Sequence, residues 1–325
     1  MPVEKPHALV LFSGGLDSQL VIRVLRDAGC EVAAISFKTP FFGTKKAQKS
    51  AHDLGIKIFV HDISEIHFQL LRNPPHGFGK NMNPCVDCHA LMFRLAKEFA
   101  DKNNFQIIAS GEVLGQRPFS QNRSAMQCIE KITNLKDKIL RPLSAKLLPV
   151  TEYERMGLVS REKMLDFEGR ARVRQLALAK KFNLKSFPLP AGGCRLTDPG
   201  FSTRLKKLLA HDSTATFRDA ELLKIGRVFF VGEGSVVIIG RNQLENKQLS
   251  TSANATDFLI EMRDFIGPTA LLRIKSADLF KKVFSFSTQK IRNYGRESKK
   301  FTGKIIFNIT GALEGAEEVE GVEYT

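Results

Sequence analysis

Two sets of residues in this chain have types and spacings that could do chemistry. The first is Ser13-Gly-Gly-Leu-Asp-Ser18. Two glycines let a backbone turn tightly and approach a ligand. Where such a turn opens a helix, the free amides of the first turn attract an anion. Ser13 and Ser18 add hydroxyl donors, and Asp17 is a carboxylate suited to a magnesium ion or to orienting a nucleotide. The string suits phosphate but is not of the Walker type, which requires G-x-x-x-x-G-K-[ST]. The second set is Cys85-Val-Asp-Cys88, with Cys194 far downstream in Pro190-Ala-Gly-Gly-Cys-Arg195. Asn83-Pro84 places the first pair at a helix start, where the dipole should lower a thiol pKa. Three cysteines around one crevice admit three chemistries. They could ligate an iron–sulfur cluster with one open iron. Cys194 could pair with Cys85 or Cys88 as a persulfide or disulfide. They could bind zinc with His89 as a fourth ligand. Cys85 to His89 also matches the C-x-x-C-H haem string, but that attachment belongs to exported proteins.

The elements that must position these residues alternate in the first half of the chain. Residues 7–12, 31–37, 56–60 and 106–109 are apolar runs expected as strands, with another strand end at 138–142. Residues 17–29, 44–54, 64–71 and 86–101 read as helices between them. Repeated βα units imply an α/β, doubly wound parallel sheet. Its ligand crevice should lie at the carboxyl ends of the strands, where Ser13 to Ser18 sit. Residues 161–182 read as one long charged helix, 187–193 as a loop, and 202–209 as a short basic helix. Residues 210–215 read as a linker, which divides the chain into domains 1–209 and 215–325. The second is expected as a smaller α+β module: strands at 228–231, 235–239, 258–262, 271–274 and 304–309, and a helix at 277–286. Residues 314–325 form an acidic tail.

The chain has 325 residues, a net charge of +15 and five cysteines. With a pI near 9.7, it suits a polyanionic partner such as nucleic acid. No apolar run approaches the ~18 residues of a membrane span. The N-terminus lacks the basic start and cleavage site of a signal peptide, so a cytoplasmic protein without structural disulfides is expected. Cys30 and Cys128 read as buried structural thiols.

Ser13-Gly-Gly-Leu-Asp-Ser18 after an apolar strand resembles the PP-loop of the ATP pyrophosphatases (adenine nucleotide alpha hydrolase-like fold). Those enzymes grip the pyrophosphate of ATP and transfer AMP to an acceptor oxygen. Ser110-Gly-Glu-Val-Leu-Gly-Gln116, with Ser120-Gln121 behind it, resembles the T-G-E-x-L-G-Q-x-x-S-Q string of the tRNA 4-thiouridine synthetases. Phe37-Lys-Thr-Pro-Phe-Phe-Gly43 and Ile139-Leu-Arg-Pro-Leu143 also fit that family, whose relatives include the tRNA 2-thiouridylases. The resemblance covers residues 7 to about 205. It implies ATP bound by Ser13, Gly14, Gly15, Leu16, Asp17, Ser18, Phe37, Gly111 and Gln121, with Phe37 at the adenine pocket and Mg²⁺ as companion ion. It implies that Cys194 handles sulfur. Relatives without a rhodanese domain use a C-x-x-C plus one distant cysteine, which here gives a 4Fe-4S cluster on Cys85, Cys88 and Cys194.

In the second half, Val237-Ile-Ile-Gly-Arg-Asn-Gln-Leu-Glu-Asn-Lys-Gln-Leu249 and Asp257-Phe-Leu-Ile-Glu-Met-Arg-Asp-Phe-Ile-Gly-Pro268 resemble the NFACT-R RNA-binding module. Arg241, Asn242 and Asn246 fit its pattern. Its aromatic-histidine strand is Leu259-Ile-Glu261 here, and its Pro-Gly-Ser-His is Ile266-Gly-Pro-Thr269. Lys247, Arg263, Arg273, Lys275, Lys281 and Lys282 offer further phosphate contacts. Arg292-Asn-Tyr-Gly-Arg296 adds a basic stripe around an aromatic, a surface suited to looped RNA.

The sequence is therefore expected to encode an ATP-dependent tRNA sulfurtransferase. Its partners would be tRNA and a sulfur donor, either sulfide or a cysteine desulfurase; a dimer is an open state. The alternatives are a PP-loop enzyme acting on a small molecule, such as a thiamine sulfur relay or an amide- or nitrile-forming ligase, and an RNA adaptor with a decayed nucleotide site.

Overall fold

The computed structural model describes residues 5–184, 187 and 193–311. The acidic tail expected at 314–325, and residues 188–192 of the loop ahead of Cys194, lie outside the described residues. The chain divides into two compact units that meet in sequence at Thr197 and Asp198.

The first unit is built on four parallel strands in the order β3-β2-β1-β4. They are β1 (His7–Leu11), β2 (Glu31–Lys38), β3 (Ile58–Asp62) and β4 (Ile107–Ser110). Connecting them are α1 (Leu16–Asp27), α2 (Lys45–Leu54), α3 (Ser64–Leu70) and α4 (Cys85–Lys102). Alternate side chains of β1 feed two cores. Ala8 and Val10 pack with Leu20, Val24 and Ala47 from α1 and α2. Leu9 packs with Phe93, Ala96 and Ala100 from α4. A sheet with apolar layers on both faces is the expected doubly wound α/β arrangement. The strand order reverses at β1, so the crevice between β1 and β4 is the switch point. Beyond β4 come α5 (Arg123–Ile132), α6 (Glu152–Arg155) and α7 (Val173–Lys181).

The strand end expected at 138–142 is a single parallel bridge, Leu140 to Ala109, with Leu140 donating to Ile108 and Ser110 donating to Leu140, each at 2.9 Å. One expectation for this unit fails. Residues 161–182 are not one helix. Leu165 and Phe167 donate their amides to Pro142 and Leu143 at 2.9 and 2.7 Å, and Gly169 donates to Leu114 at 2.7 Å. That extended course, with Gly169 at φ +82°, excludes a helix until α7. Helical charge spacing loses here to long-range backbone pairing.

The second unit begins with α8 (Pro199–His211), which has Pro199 in its first turn and Asp198 as N-cap, accepting from the Phe201 amide. There follow α9 (Phe217–Leu222), β5 (Arg227–Val231), β6 (Ser235–Ile239), α10 (Gln243–Ser252), β7 (Asp257–Met262), β8 (Ala270–Arg273), α11 (Phe280–Tyr294) and β9 (Phe307–Gly311). The strands form an antiparallel sheet in the order β5-β6-β8-β7-β9. Val283, Phe284 and Ile291 of α11 fill its core with Val237, Ile260 and Leu272. The expected linker at 210–215 is internal to this unit. Asp212 pairs with Lys275, and His211 hydrogen-bonds the Gly232 carbonyl. No helix among the described residues is long and apolar enough to cross a membrane.

Candidate active site

The turn after β1 is shaped from two directions. Phe12 extends the strand by donating to the Ile35 carbonyl at 2.8 Å. Gly14 then adopts φ +74°, and a Cβ there would lie 2.6 Å from the Lys46 carbonyl oxygen. Only glycine fits both demands. Gly15, by contrast, has φ −76°, and a Cβ there would meet only Ser13 Oγ at 3.4 Å. The protein itself leaves room at Gly15, so any need for glycine there comes from a ligand. Gly15 caps α1 without a side-chain hydrogen bond, which leaves the first-turn amides open to an anion. Ser18 Oγ donates to the Gly15 carbonyl at 2.9 Å, and Ser13 Oγ lies 3.4 Å from Ser18 Oγ. Leu16 is buried beneath the turn.

The segment after β4 lies directly on this helix start. A Cβ on Gly111 would sit 2.8 Å from the Ser18 amide nitrogen. Gln116 Nε2 donates to Asp17 Oδ2 at 3.2 Å, and Arg172 Nη2 reaches the same oxygen at 3.3 Å. Asp17 Oδ1 is buried and has no hydrogen-bond partner among the described residues. Burial raises the Asp17 carboxyl above its usual range, while Arg172, the Gln116 hydrogen bond and Arg117 pull against it. A buried carboxylate oxygen without a partner fits a hard divalent cation. Gln121 is buried, with Oε1 unpartnered and its carbonyl accepting from Gly115. Phe37 is buried at the carboxyl end of β2.

The cysteines approach one another through two loops. Cys85 opens α4, and Asn83 Nδ2 donates to its sulfur at 3.2 Å. Neighbouring Asn81 Nδ2 donates to the Thr197 carbonyl at 2.9 Å, and the Arg195 amide donates to Phe41 at 2.9 Å. These bonds hold the Cys194 turn against the residues that lead into α4. Burial pushes the Cys88 thiol well up, and the nearby sulfurs of Cys194 and Cys85 push it further. Cys194 is raised to about 11, again first by burial. The expected lowering by the helix dipole is thus outweighed at Cys88, because loss of water costs a thiolate more than the dipole returns. Among the described residues, no three His, Cys, Asp or Glu side chains are drawn into a group that could hold a metal. The donors are of the right kind for a soft site, being three thiols whose charges reach one another. Cys30 is buried and raised to about 11, as expected of a structural thiol, but Cys128 is only half-buried.

Sequence reasoning missed two buried partners. His67 is fully buried, with Nε2 3.2 Å from Cys88 Sγ and its ring between Phe41 and Phe42. Burial lowers it to about 4, so it is neutral. The second is Glu112. His89 Nδ1 lies 2.7 Å from its Oε1, and Arg141 Nε donates to its Oε2 at 2.8 Å. Burial would raise this carboxyl, but Arg141 and then His89 bring it down to about 2. Arg141 also pairs with Glu130.

The assigned RNA contacts of the second unit are partly committed elsewhere. Arg241 clasps Glu245, and Asn242 Oδ1 caps α10 by accepting the Glu245 amide. Asn246 donates to the Gly267 carbonyl and accepts the Thr269 amide. Arg273 is nearly buried between Asp219 and Asp257. Lys247 is exposed, and Arg263 contacts only Asp264 with its side chain.

With this geometry in hand, the relatives can be read. Residues 4–146 match the ThiI family, described as thiamine biosynthesis protein. Within the first unit, the ThiI-type likeness is confined to those residues. A protein of Oceanobacillus iheyensis described as a probable tRNA sulfurtransferase is 26% identical over 145 residues, 42% of this chain and 34% of that protein. The chain therefore spans about a third of the length of that curated relative. A 4-thiouridine synthetase–RNA complex with bound ATP is 18% identical, covering 62% of this chain and 50% of its own, at a TM-score of 0.34. A predicted subunit of tRNA methyltransferase from Methanocaldococcus jannaschii is 22% identical, covering 47% and 72%, at a TM-score of 0.32. The ThiI-type match takes in the phosphate turn, the Cys85–Cys88 pair and the Gly111 to Gln121 segment; Arg172 and Cys194 lie past its end.

Proposed function

We propose that this chain is an ATP-dependent tRNA sulfurtransferase. It adenylates a uridine carbonyl of tRNA and replaces that oxygen with sulfur, releasing pyrophosphate and then AMP. One observation carries the reading. The open amides of the α1 start and the unpartnered Asp17 Oδ1 adjoin the Gly111–Gln116 segment, and the cation Arg117, next to Gln116, acts on both Asp17 and Cys194.

The residues divide the work. Ser13 to Ser18 hold the phosphates of ATP. Asp17 would hold Mg²⁺ through Oδ1, while Arg172 and Gln116 fix Oδ2. Phe37, Gly111 and Gln121 border the nucleotide. The uracil oxygen displaces pyrophosphate and becomes AMP-bound, which turns it into a leaving group. Sulfide then adds at the activated carbon, and AMP departs with the oxygen. A 4Fe-4S cluster on Cys85, Cys88 and Cys194 would supply an open position for sulfide. Binding it requires the thiols to lose their protons, so loading is coupled to proton release.

The basic second unit is the tRNA-docking module of this proposal, an NFACT-R-like fold that binds RNA through exposed cations such as Lys247 and Arg263. The structural roles of Arg241, Asn242 and Asn246 keep α10 in place for that surface. The protein works in the cytoplasm, where its tRNA is.

The deciding experiment has two parts. Nucleosides of tRNA from a strain lacking the gene are weighed by mass spectrometry, and AMP formation by the purified protein is measured with and without tRNA. Loss of one thiouridine and tRNA-dependent AMP support the proposal. Unchanged thiouridine with AMP formed on a small acceptor would assign a small-molecule PP-loop enzyme instead.

A further inference from the structure

Gln116 and Ser120 are separated by three residues, Arg117-Pro118-Phe119. Arg117 is exposed, and its guanidinium makes no hydrogen bond among the described residues. Two nearby cations are committed: Arg172 to Asp17, and Arg141 to Glu112 and Glu130. The backbone that carries Arg117 is nevertheless fixed. Gln121 donates to its carbonyl at 2.9 Å, and Gly115 donates to Gln121 at 2.6 Å. Gln116, one residue before it, is tied to Asp17 at 3.2 Å. An unspent charge thus stands on an anchored turn at the nucleotide site. Its field reaches two groups at once, the Asp17 carboxyl and the Cys194 thiol. It is the cation common to both.

The group transferred at such a site is the adenylyl group, through its α-phosphorus. We propose that Arg117 binds the α-phosphoryl group of ATP and keeps hold of it as the group moves to the uracil oxygen. The inference rests on the adenylation reading above. In that step a bond forms between the uracil oxygen and the α-phosphorus. The bond from that phosphorus to the bridging oxygen breaks, pyrophosphate leaves with the electron pair, and the uracil N3 proton goes to water. A guanidinium suits this task because it stays charged and presents paired donors to a phosphate. A phosphate of the tRNA backbone is the competing target. The α-phosphoryl is favoured because Arg117 adjoins Gln116, which is bonded to the Asp17 carboxylate.

The test compares AMP with adenosine, which lacks the phosphoryl. Binding of each to the wild type, R117Q and R117K is measured by calorimetry. AMP affinity should fall about tenfold or more in R117Q, adenosine affinity should not change, and R117K should recover part of the loss. With tRNA, the kcat for AMP formation should fall about 100-fold in R117Q, with the tRNA Kd within about twofold. The melting temperature should hold, because the side chain is exposed and unbonded. Unchanged AMP affinity in R117Q would overturn the inference. So would a loss confined to tRNA affinity, which would assign a backbone contact. If the wild type binds AMP yet forms none in the presence of tRNA, the sulfurtransferase reading fails, while the nucleotide comparison still decides the role of Arg117.

Discussion

Gly111 rests so closely on Ser18 that a methyl group at its Cα would lie 2.8 Å from the Ser18 amide nitrogen. The two residues are joined through space alone, and their contact seats the β4 loop on the helix that receives phosphate in the proposed function. G111A should therefore push that helix start away. Overpacking of this kind costs about 1–3 kcal/mol, and ATP affinity should fall with it. G15V should behave differently. The protein leaves space at Gly15, so melting should be near the wild type while AMP release disappears. Calorimetric melting and AMP release, measured on both variants, separate the two. A G15V protein that releases AMP at the parental rate would remove phosphate from the turn.

Glu112 makes stability depend on acid. Its folded pKa is about 2 against an ordinary 4.5. A depressed carboxylate adds stability that is complete above the unfolded pKa and is lost as pH falls. The first unit should hold above about pH 4.5 and weaken progressively toward pH 2. E112Q should flatten that decline, and at pH 7 it should cost on the order of 3 kcal/mol, because Arg141 keeps a buried charge with one partner fewer. Urea denaturation across pH 2–7 reads both effects. An unaltered acid profile in E112Q would place the sensitive group elsewhere.

The cysteines should divide into two classes. In metal-free protein, Cys194 should react with iodoacetamide more slowly at pH 8 than free cysteine does, since its thiol is raised to about 11 and only the thiolate reacts. Anaerobically purified protein should be brown. C85A, C88A and C194A should each lose colour and thiolation, while C30A and C128A lose neither. A colourless but active protein would favour the persulfide pair.

Salt should weaken tRNA binding steeply, because neutralised phosphates release counterions. K247A with R263A should lower affinity and shrink the slope of log affinity against log salt by about 2. N242A should instead cost about 1 kcal/mol of helix stability through its lost cap. Filter binding across salt concentrations distinguishes the two. An unchanged slope in the double variant would move the docking surface away from α10 and β7.

What could be read along the sequence was what is local in it. Ser13 to Ser18 are consecutive, so strand, turn and helix start were all legible, as was the helix opening at Cys85. The partners that tune these residues were not. His67 meets Cys88 across 21 positions, Arg141 meets Glu112 across 29, and Arg172 meets Asp17 across 155. No periodicity encodes such contacts. The misread helix at 161–182 has the same cause, since backbone partners at Leu114, Pro142 and Leu143 fix its middle. In the second unit, a pattern match marked Arg241 and charge alone marked Arg273 for RNA, whereas nearby carboxylates already claim both.

The span between Asp17 and Arg172 also bears on the order of biosynthesis. A ribosome exposes the phosphate turn early, when its carboxylate has no guanidinium to meet. Arg172 arrives after all four strands of the sheet, and Cys194 later still. Under the proposed function, competence for nucleotide chemistry and for sulfur handling would be withheld until almost the entire first unit has been synthesised, so a prematurely terminated chain that retains the phosphate turn would not consume ATP to no purpose.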